Sequence, residues 1–122
     1  MSQHKQQLGK EGEKLATQHL IAKGYSILAK NYRHGYAEID IVAQIDKTVV
    51  FVEVKTRETD KYGQPEDFVS HSKIKKLAEG AEGYIEEYDI NLDARYDIIS
   101  IILNKHQTEI NHFEDAFWPG LY

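Results

Sequence analysis

Three charged residues sit where a small domain is expected to bury only apolar ones. Asp40 lies in YAEIDIVAQ (Tyr36–Gln44), and Glu53 and Lys55 lie in TVVFVEVKT (Thr48–Thr56). Burying carboxylates and an ammonium beside Val and Phe is costly unless they pair or hold a cation. A site that binds a divalent ion and cuts a phosphodiester needs this set. Two carboxylates hold the metal, and a lysine positions or activates the attacking water. The bland alternative is that Asp40 and Glu53 only form ion pairs with Lys55 and Arg57.

Both segments read as strands, and the turn between them decides whether the charges meet. Side chains alternate faces along a strand. A two-residue turn at Asp46-Lys47 pairs Ile45 with Thr48, and by counting back Asp40 with Glu53 and Glu38 with Lys55. Direct partners have Cβ atoms roughly 4.5–5.5 Å apart, close enough for two carboxylates to share one cation. A one-residue slip would put Asp40 and Glu53 on opposite faces. Glu38 is expected to be structural, pairing with Lys55.

The other elements follow from periodicity. Residues 5–23 read as a helix with Leu8, Gly12, Leu15 and Ala22 on one stripe and Ala16 and Leu20 beside it. Gly24 supplies the C-terminal stop. Gly9 and Gly12 each cost this helix about 1 kcal/mol relative to Ala, which close packing on a sheet would offset. Glu11 and Glu13 both flank the apolar stripe, so the helical wheel does not choose between them. Tyr25–Asn31 reads as a strand, and residues 57–69 as a polar loop. Ser70 or Ser72 caps a second helix over residues 72–88, with Ile74, Leu77, Ala81, Tyr84 and Ile85 inward. Ala94–Leu103 and Glu109–Glu114 complete the strands. The helix between the third and fourth strands allows a parallel crossover. The expected architecture is a single α/β domain, a mixed sheet of about five strands flanked by helices.

Composition narrows the function classes. The chain has 122 residues, 41% of them hydrophobic, and no cysteine. That fits one core without disulfides or a thiolate zinc site. With no long apolar run and a polar start, the expectation is a cytoplasmic protein. The net charge of −5 argues against a generic electrostatic nucleic-acid binder. The charge is uneven, however: residues 1–76 carry 13 Lys/Arg against 10 Asp/Glu, and residues 77–122 carry 2 against 10. A phosphate-facing surface on the first part is compatible with that asymmetry. The six histidines show no ligand spacing, and His19 reads as a core or boundary residue. The eight tyrosines are explained first as strand and core residues, with Tyr36 and Tyr62 as candidates to stack on bases.

Glu38-Ile39-Asp40 followed by Glu53-Val54-Lys55 resembles the PD-(D/E)xK core of restriction-endonuclease-like nucleases. Acid-x-Lys alone is a common pattern, and the surrounding segments make it specific. GKEGEKLA (Gly9–Ala16), KGYSILAKNYR (Lys23–Arg33), AEIDIVA (Ala37–Ala43), VFVEVKTR (Val50–Arg57), YGQPEDFV (Tyr62–Val69), KIKKLAEGAEGYI (Lys73–Ile85), ARYDIISI (Ala94–Ile101) and INHFEDAF (Ile110–Phe117) resemble the YraN-like family of small bacterial predicted endonucleases. By fold that family is similar to archaeal Holliday-junction resolvases.

The resemblance implies a metal-dependent endonuclease acting on nucleic acid, DNA before RNA, with branched or single-stranded forms as substrates. It implies Mg²⁺ or Mn²⁺ held by Asp40, Glu53 and the Val54 carbonyl, with Glu13 completing the shell. It implies Lys55 as the residue that orients water or stabilises the developing charge. Gln64 is implied as an auxiliary polar residue, and Arg57 and Lys73 as phosphate contacts. Resolvases act as dimers, which implies a possible homodimer. The alternative is a non-catalytic nucleic-acid-binding module on the same fold. One departure stands out: Ala37 occupies the position before Glu-Ile-Asp where the family usually has Gly.

Overall fold

The computed structural model describes residues 3–59 and 70–118. The elements follow the order α1 (Gln3–Ala22), β1 (Ser26–His34), β2 (Ala37–Ile45), β3 (Thr48–Arg57), α2 (His71–Glu87), β4 (Asp93–Leu103) and β5 (Thr108–Phe113). One five-stranded sheet has the spatial order β1-β2-β3-β4-β5. Only β3 and β4 run parallel, joined through α2, and the other neighbours are antiparallel. This is the mixed sheet flanked by helices that the sequence pattern predicts.

The sheet separates two cores. Ile39, Val42, Val49, Phe51 and Ile98 pack under Ile74, Leu77, Ala81 and Tyr84 of α2. Ile41, Ala43, Val50, Val52, Ile99 and Ile101 pack under Ala16 and Leu20 of α1. Covering both faces explains why β2, β3 and β4 read as near-continuous apolar runs.

Local chemistry sets the boundaries. Gly24 leaves α1 at a φ of 93°, a left-handed conformation that glycine adopts without steric cost. The Ser70 hydroxyl accepts from the Lys73 N–H at 3.2 Å, so Ser70 rather than Ser72 caps α2. Gly12 answers the cost of a glycine inside α1. A Cβ there would lie 2.8 Å from Cβ and Cγ2 of Thr56, so its absence lets α1 close on β3.

The Asp46-Lys47 turn sets the expected register, with Ile45 opposite Thr48 and Ile41 opposite Val52. Beyond that point the regular count fails. The β2–β3 ladder ends at Ile41↔Val52, so Asp40 and Glu53 are not ladder partners. Ile39 joins the α2-side core while Ile41 joins the α1-side core. Strict alternation would put both on one face, so β2 rotates at Asp40. Asn31, facing this kink from β1, has a φ of 53°. Glu38 does not pair with Lys55 but with Arg33 across the β1–β2 ladder, at 3.0 Å.

Candidate active site

The kink turns the Asp40 side chain toward the edge of β3. Its Oδ2 accepts the Val54 N–H at 2.8 Å, so a carboxylate occupies the place of a backbone ladder partner. Strands two and three part here, and the carboxylate both caps the opening and stands in it.

Glu53, next to Val54, is 3% exposed. Its Oε1 lies 3.2 Å from Lys73 Nζ and 3.8 Å from Lys55 Nζ. Its Oε2 is buried without a hydrogen-bond partner. A buried carboxylate oxygen with no donor is rare and costly. Asp40 feels this neighbour. Burial first, then the Glu53 charge, push its carboxyl up to about 7, against the opposing pull of the Val54 N–H and Lys73. Two carboxylates this close cannot both ionise cheaply without a cation. Lys73 answers in the opposite sense. Burial works against its charge, but Glu53 holds its pKa above the ordinary value.

Glu13 approaches from α1. Its Oε1 accepts from Asn31 Nδ2 at 2.9 Å. Burial and the Asp40 charge raise its pKa, with Asn31 and Lys30 opposing. Glu13, Asp40, Val54, Lys55 and Arg57 all line one open cleft of about 1310 Å³ between α1 and the ends of β2 and β3. His4 and Glu58, in contact with each other across this cleft, tie the start of α1 to the end of β3.

The structure therefore brings together Asp40, Glu53, Val54 and Lys55, with Glu13 across the same cleft. Arg57 sits on the cleft wall. Lys73 pairs with Glu53 while its side chain stays 40% exposed. Gln64 and Tyr62 lie outside the described residues. Among the described residues, no three His, Cys, Asp or Glu side chains stand as a formed ligand set. The residue that sequence reasoning passed over is Lys73 as a partner of Glu53. The signal lay in its position in the first turn of α2, where a lysine opposes the helix dipole and needs a compensating anion.

Asp97 of β4 marks a second charged cluster, also missed. It is fully buried and accepts from Arg95 Nε and a terminal guanidinium nitrogen at 2.9 Å each. It also accepts from His112 Nε2 at 2.7 Å and from the Asp115 N–H at 3.0 Å. His112 Nδ1 in turn lies 3.3 Å from His19 Nε2, within hydrogen-bond distance. Burial alone would raise the Asp97 pKa, but these donors hold it below the usual carboxylate range.

Among the described residues no helix is long and apolar enough to cross a membrane. Residues 12–101 match the Uncharacterised protein family UPF0102. A UPF0102 protein of Christiangramia forsetii is 45% identical over 118 residues, spanning 97% of this chain and 98% of its own length. Its counterpart in Phocaeicola vulgatus is 38% identical over 122 residues and covers both chains completely. Among solved structures, "The structure of Pyrococcus Furiosus SfsA in complex with Ca2+" aligns with 90% of this chain and 63% of its own, at 17% identity and a TM-score of 0.38. That structural likeness is too distant to carry an argument. Full-length identity to these relatives does: the chain belongs to protein family UPF0102, the YraN-like family whose motifs it carries.

Proposed function

We propose that this chain is a metal-dependent endonuclease that hydrolyses phosphodiester bonds in nucleic acid, DNA before RNA. The observation that carries the reading is the Asp40–Glu53 pair. One carboxyl is held up to about 7 and its neighbour keeps a buried oxygen without a donor, at the edge of an open cleft. Such a pair is destabilising alone and is relieved by a divalent cation. The donors are oxygens throughout, which suits Mg²⁺ or Mn²⁺. Asp40, Glu53 and the Val54 carbonyl would hold the ion, with Glu13 approaching from α1. When bound, the ion supplies an acidified water and neutralises charge on the phosphate.

The chain's own groups do the rest. Lys55 lines the cleft next to these carboxylates, placed to orient the attacking water or to stabilise charge on the phosphate oxygens. Arg57, on the same wall, and Arg33 fix the backbone of the strand being cut. Lys73, 3.2 Å from Glu53 Oε1, offsets part of that carboxylate's charge and would be the nearest ammonium to a phosphate bound beside it.

The test is cleavage of labelled single-stranded, duplex and four-way-junction DNA with Mg²⁺ or Mn²⁺, beside Glu53→Gln purified identically. Products from the wild type alone support the reading, and equal products from both reveal a contaminant.

A second reading is a binding module without catalysis. It draws on the two ammonium groups beside Glu53, which already do part of what a cation would do. Thermal melting separates the two. An ion that binds only the native state stabilises it, by about 2.7 kcal/mol at one hundred times its Kd. The nuclease reading expects a gain in Tm with Mn²⁺ that Asp40→Asn removes. The binding module expects no gain.

A further inference from the structure

Tyr36 is 99% exposed, far more than any other large hydrophobic residue described. It occupies the second position of the two-residue turn between β1 and β2, whose stem closes with His34 opposite Ala37. Gly35 takes a φ of 62° there. A turn with glycine in the left-handed region at its first position makes no demand for an aromatic at its second. The core makes none either, since Tyr36 touches neither packed cluster. Fold and packing thus leave this side chain unexplained.

The hairpin that presents it is firmly held. Arg33 and Glu38 bridge the stem at 3.0 Å. The His34 ring fills the space left by Gly83 of α2, where a Cβ would come within 2.7 Å of its Cδ2. The Tyr32 hydroxyl donates to Glu87 Oε1 at 2.6 Å. Arg33 and Glu38 line the same cleft as Asp40 and Lys55, so the tip stands at the lip of the proposed active site. Because β3 runs antiparallel to β2, the tip and the Lys55–Arg57 end of β3 lie at the same end of the sheet. Tyr36 lies four residues from Asp40, about 13 Å along the strand, which is at most about four stacked base steps.

We propose that Tyr36 is a stacking platform for an unpaired base of the nucleic-acid strand that lies in the Asp40 cleft. This rests on the nuclease reading and deepens it by naming the substrate class: single strands, gaps and branch points. A base inside a duplex is already stacked on both faces and cannot use the platform. An unpaired base can, and aromatic stacking accepts any base because each has a π-face. The cations of the cleft wall, Lys10, Arg33 and Lys55 among them, supply the backbone attraction that a lone aromatic lacks.

Binding is measured by fluorescence anisotropy in Mg²⁺, with labelled phosphorothioate single strands and the matching duplex, to resist cleavage. The full-length wild type is compared with Tyr36→Ala and Tyr36→Trp. The wild type is expected to prefer the single strand. Tyr36→Ala should weaken single-strand binding about tenfold or more and leave duplex binding nearly unchanged. Tyr36→Trp, combined with Trp118→Phe to silence the native indole, should bind as the wild type and show emission quenched by the single strand only. Unchanged single-strand binding in Tyr36→Ala, an equal loss on both substrates, or an unquenched Trp overturns the platform. If the wild type nevertheless cleaves DNA in a Glu53-dependent way, the nuclease reading survives that result. A wild type that binds no nucleic acid overturns both.

Discussion

Asp40 and Asp97 are both carboxylates set into the same sheet, and they are treated in opposite ways. Asp97 accepts four hydrogen bonds, from Arg95 twice, His112 and Asp115. Its pKa falls, so the charged form belongs to the folded state. Asp40 accepts the Val54 N–H beside a second buried carboxylate, and its pKa rises to about 7. One site has more donors than its charge needs, and the other has fewer. A structural ion pair is completed by its own chain. The Asp40–Glu53 pair is left incomplete by its own chain, and the proposed metal site rests on that deficit.

Isosteric amides break the comparison most sharply. Asp97→Asn removes the charge that Arg95 and His112 are built around, and loss of one partner from a buried pair costs about 3 kcal/mol or more. Asp40→Asn should do the reverse in metal-free protein. Its amide oxygen still accepts from Val54, and its NH₂ group can donate to the Glu53 oxygen that lacks a donor. Chemical denaturation in EDTA is expected to show Asp97→Asn destabilised and Asp40→Asn neutral or stabilised by about 1 kcal/mol. Cleavage should invert the ranking. On the proposed function, removing the charge at Asp40 should lower the rate at least about 100-fold, since even outer-shell changes at metal sites reach that range. If Asp40→Asn were the less stable variant and kept its activity, the contrast between the two sites would fail.

The sequence made one of these sites readable and hid the other. Asp40, Glu53 and Lys55 are legible because each interrupts an apolar strand, and the Asp46-Lys47 turn fixes the register up to Ile41↔Val52. The kink at Asp40 was not legible. It depends on Asn31 across the ladder and on each helix claiming a different isoleucine of β2. The expected Glu38–Lys55 pair failed for the same reason, because parity counting assumes an unbroken strand. Asp97 interrupts an apolar strand just as Asp40 does, with Arg95 two places before it on the same face. Its other partners come from β5 and, through His112, from α1, and only the tertiary structure brings those elements together.

The two pKa shifts give opposite pH slopes, which sharpen the comparison at a smaller scale. Asp40 has a folded pKa raised from the ordinary carboxylate range to about 7. Its protonated form is therefore favoured by folding, and stability is lost as pH rises through that window, by up to about 1.4 kcal/mol per pH unit. Asp97 has a lowered folded pKa. Its contribution is full above the ordinary carboxylate range and is lost as pH falls through the folded value. Metal-free protein melted from about pH 3 to pH 8 should lose stability as pH rises toward about 7, a loss that Asp40→Asn abolishes, and as pH falls toward about 3, a loss that Asp97→Asn reduces. Saturating Mn²⁺ should flatten or reverse the first slope, because an ion on Asp40 favours its ionised form. A decline toward about pH 7 that persists in Asp40→Asn would assign it to another group.

Two glycines of α1 test whether the incomplete site also depends on packing, with the smallest effects. Gly12 lies under Thr56, and a methyl there would force α1 away from β3. Gly9, one turn earlier on the cleft, has nothing within 4 Å of the position a Cβ would take. Gly12→Ala should therefore destabilise by about 1–3 kcal/mol through overpacking. Gly9→Ala should stabilise by about 0.5–1 kcal/mol through helix propensity alone. Asp97 takes its donors from β4, from β5 and from the residues just after β5, so its acid-side melting behaviour should survive Gly12→Ala. Glu13 follows Gly12 directly and reaches the Asp40 cleft only while α1 stays close to β3. Displacing the helix should therefore weaken the Tm gain from Mn²⁺ and slow cleavage, even at temperatures where the variant is fully folded. A Gly12→Ala protein with wild-type Mn²⁺ response would show that Glu13 is not part of the site, and that Asp40 and Glu53 suffice.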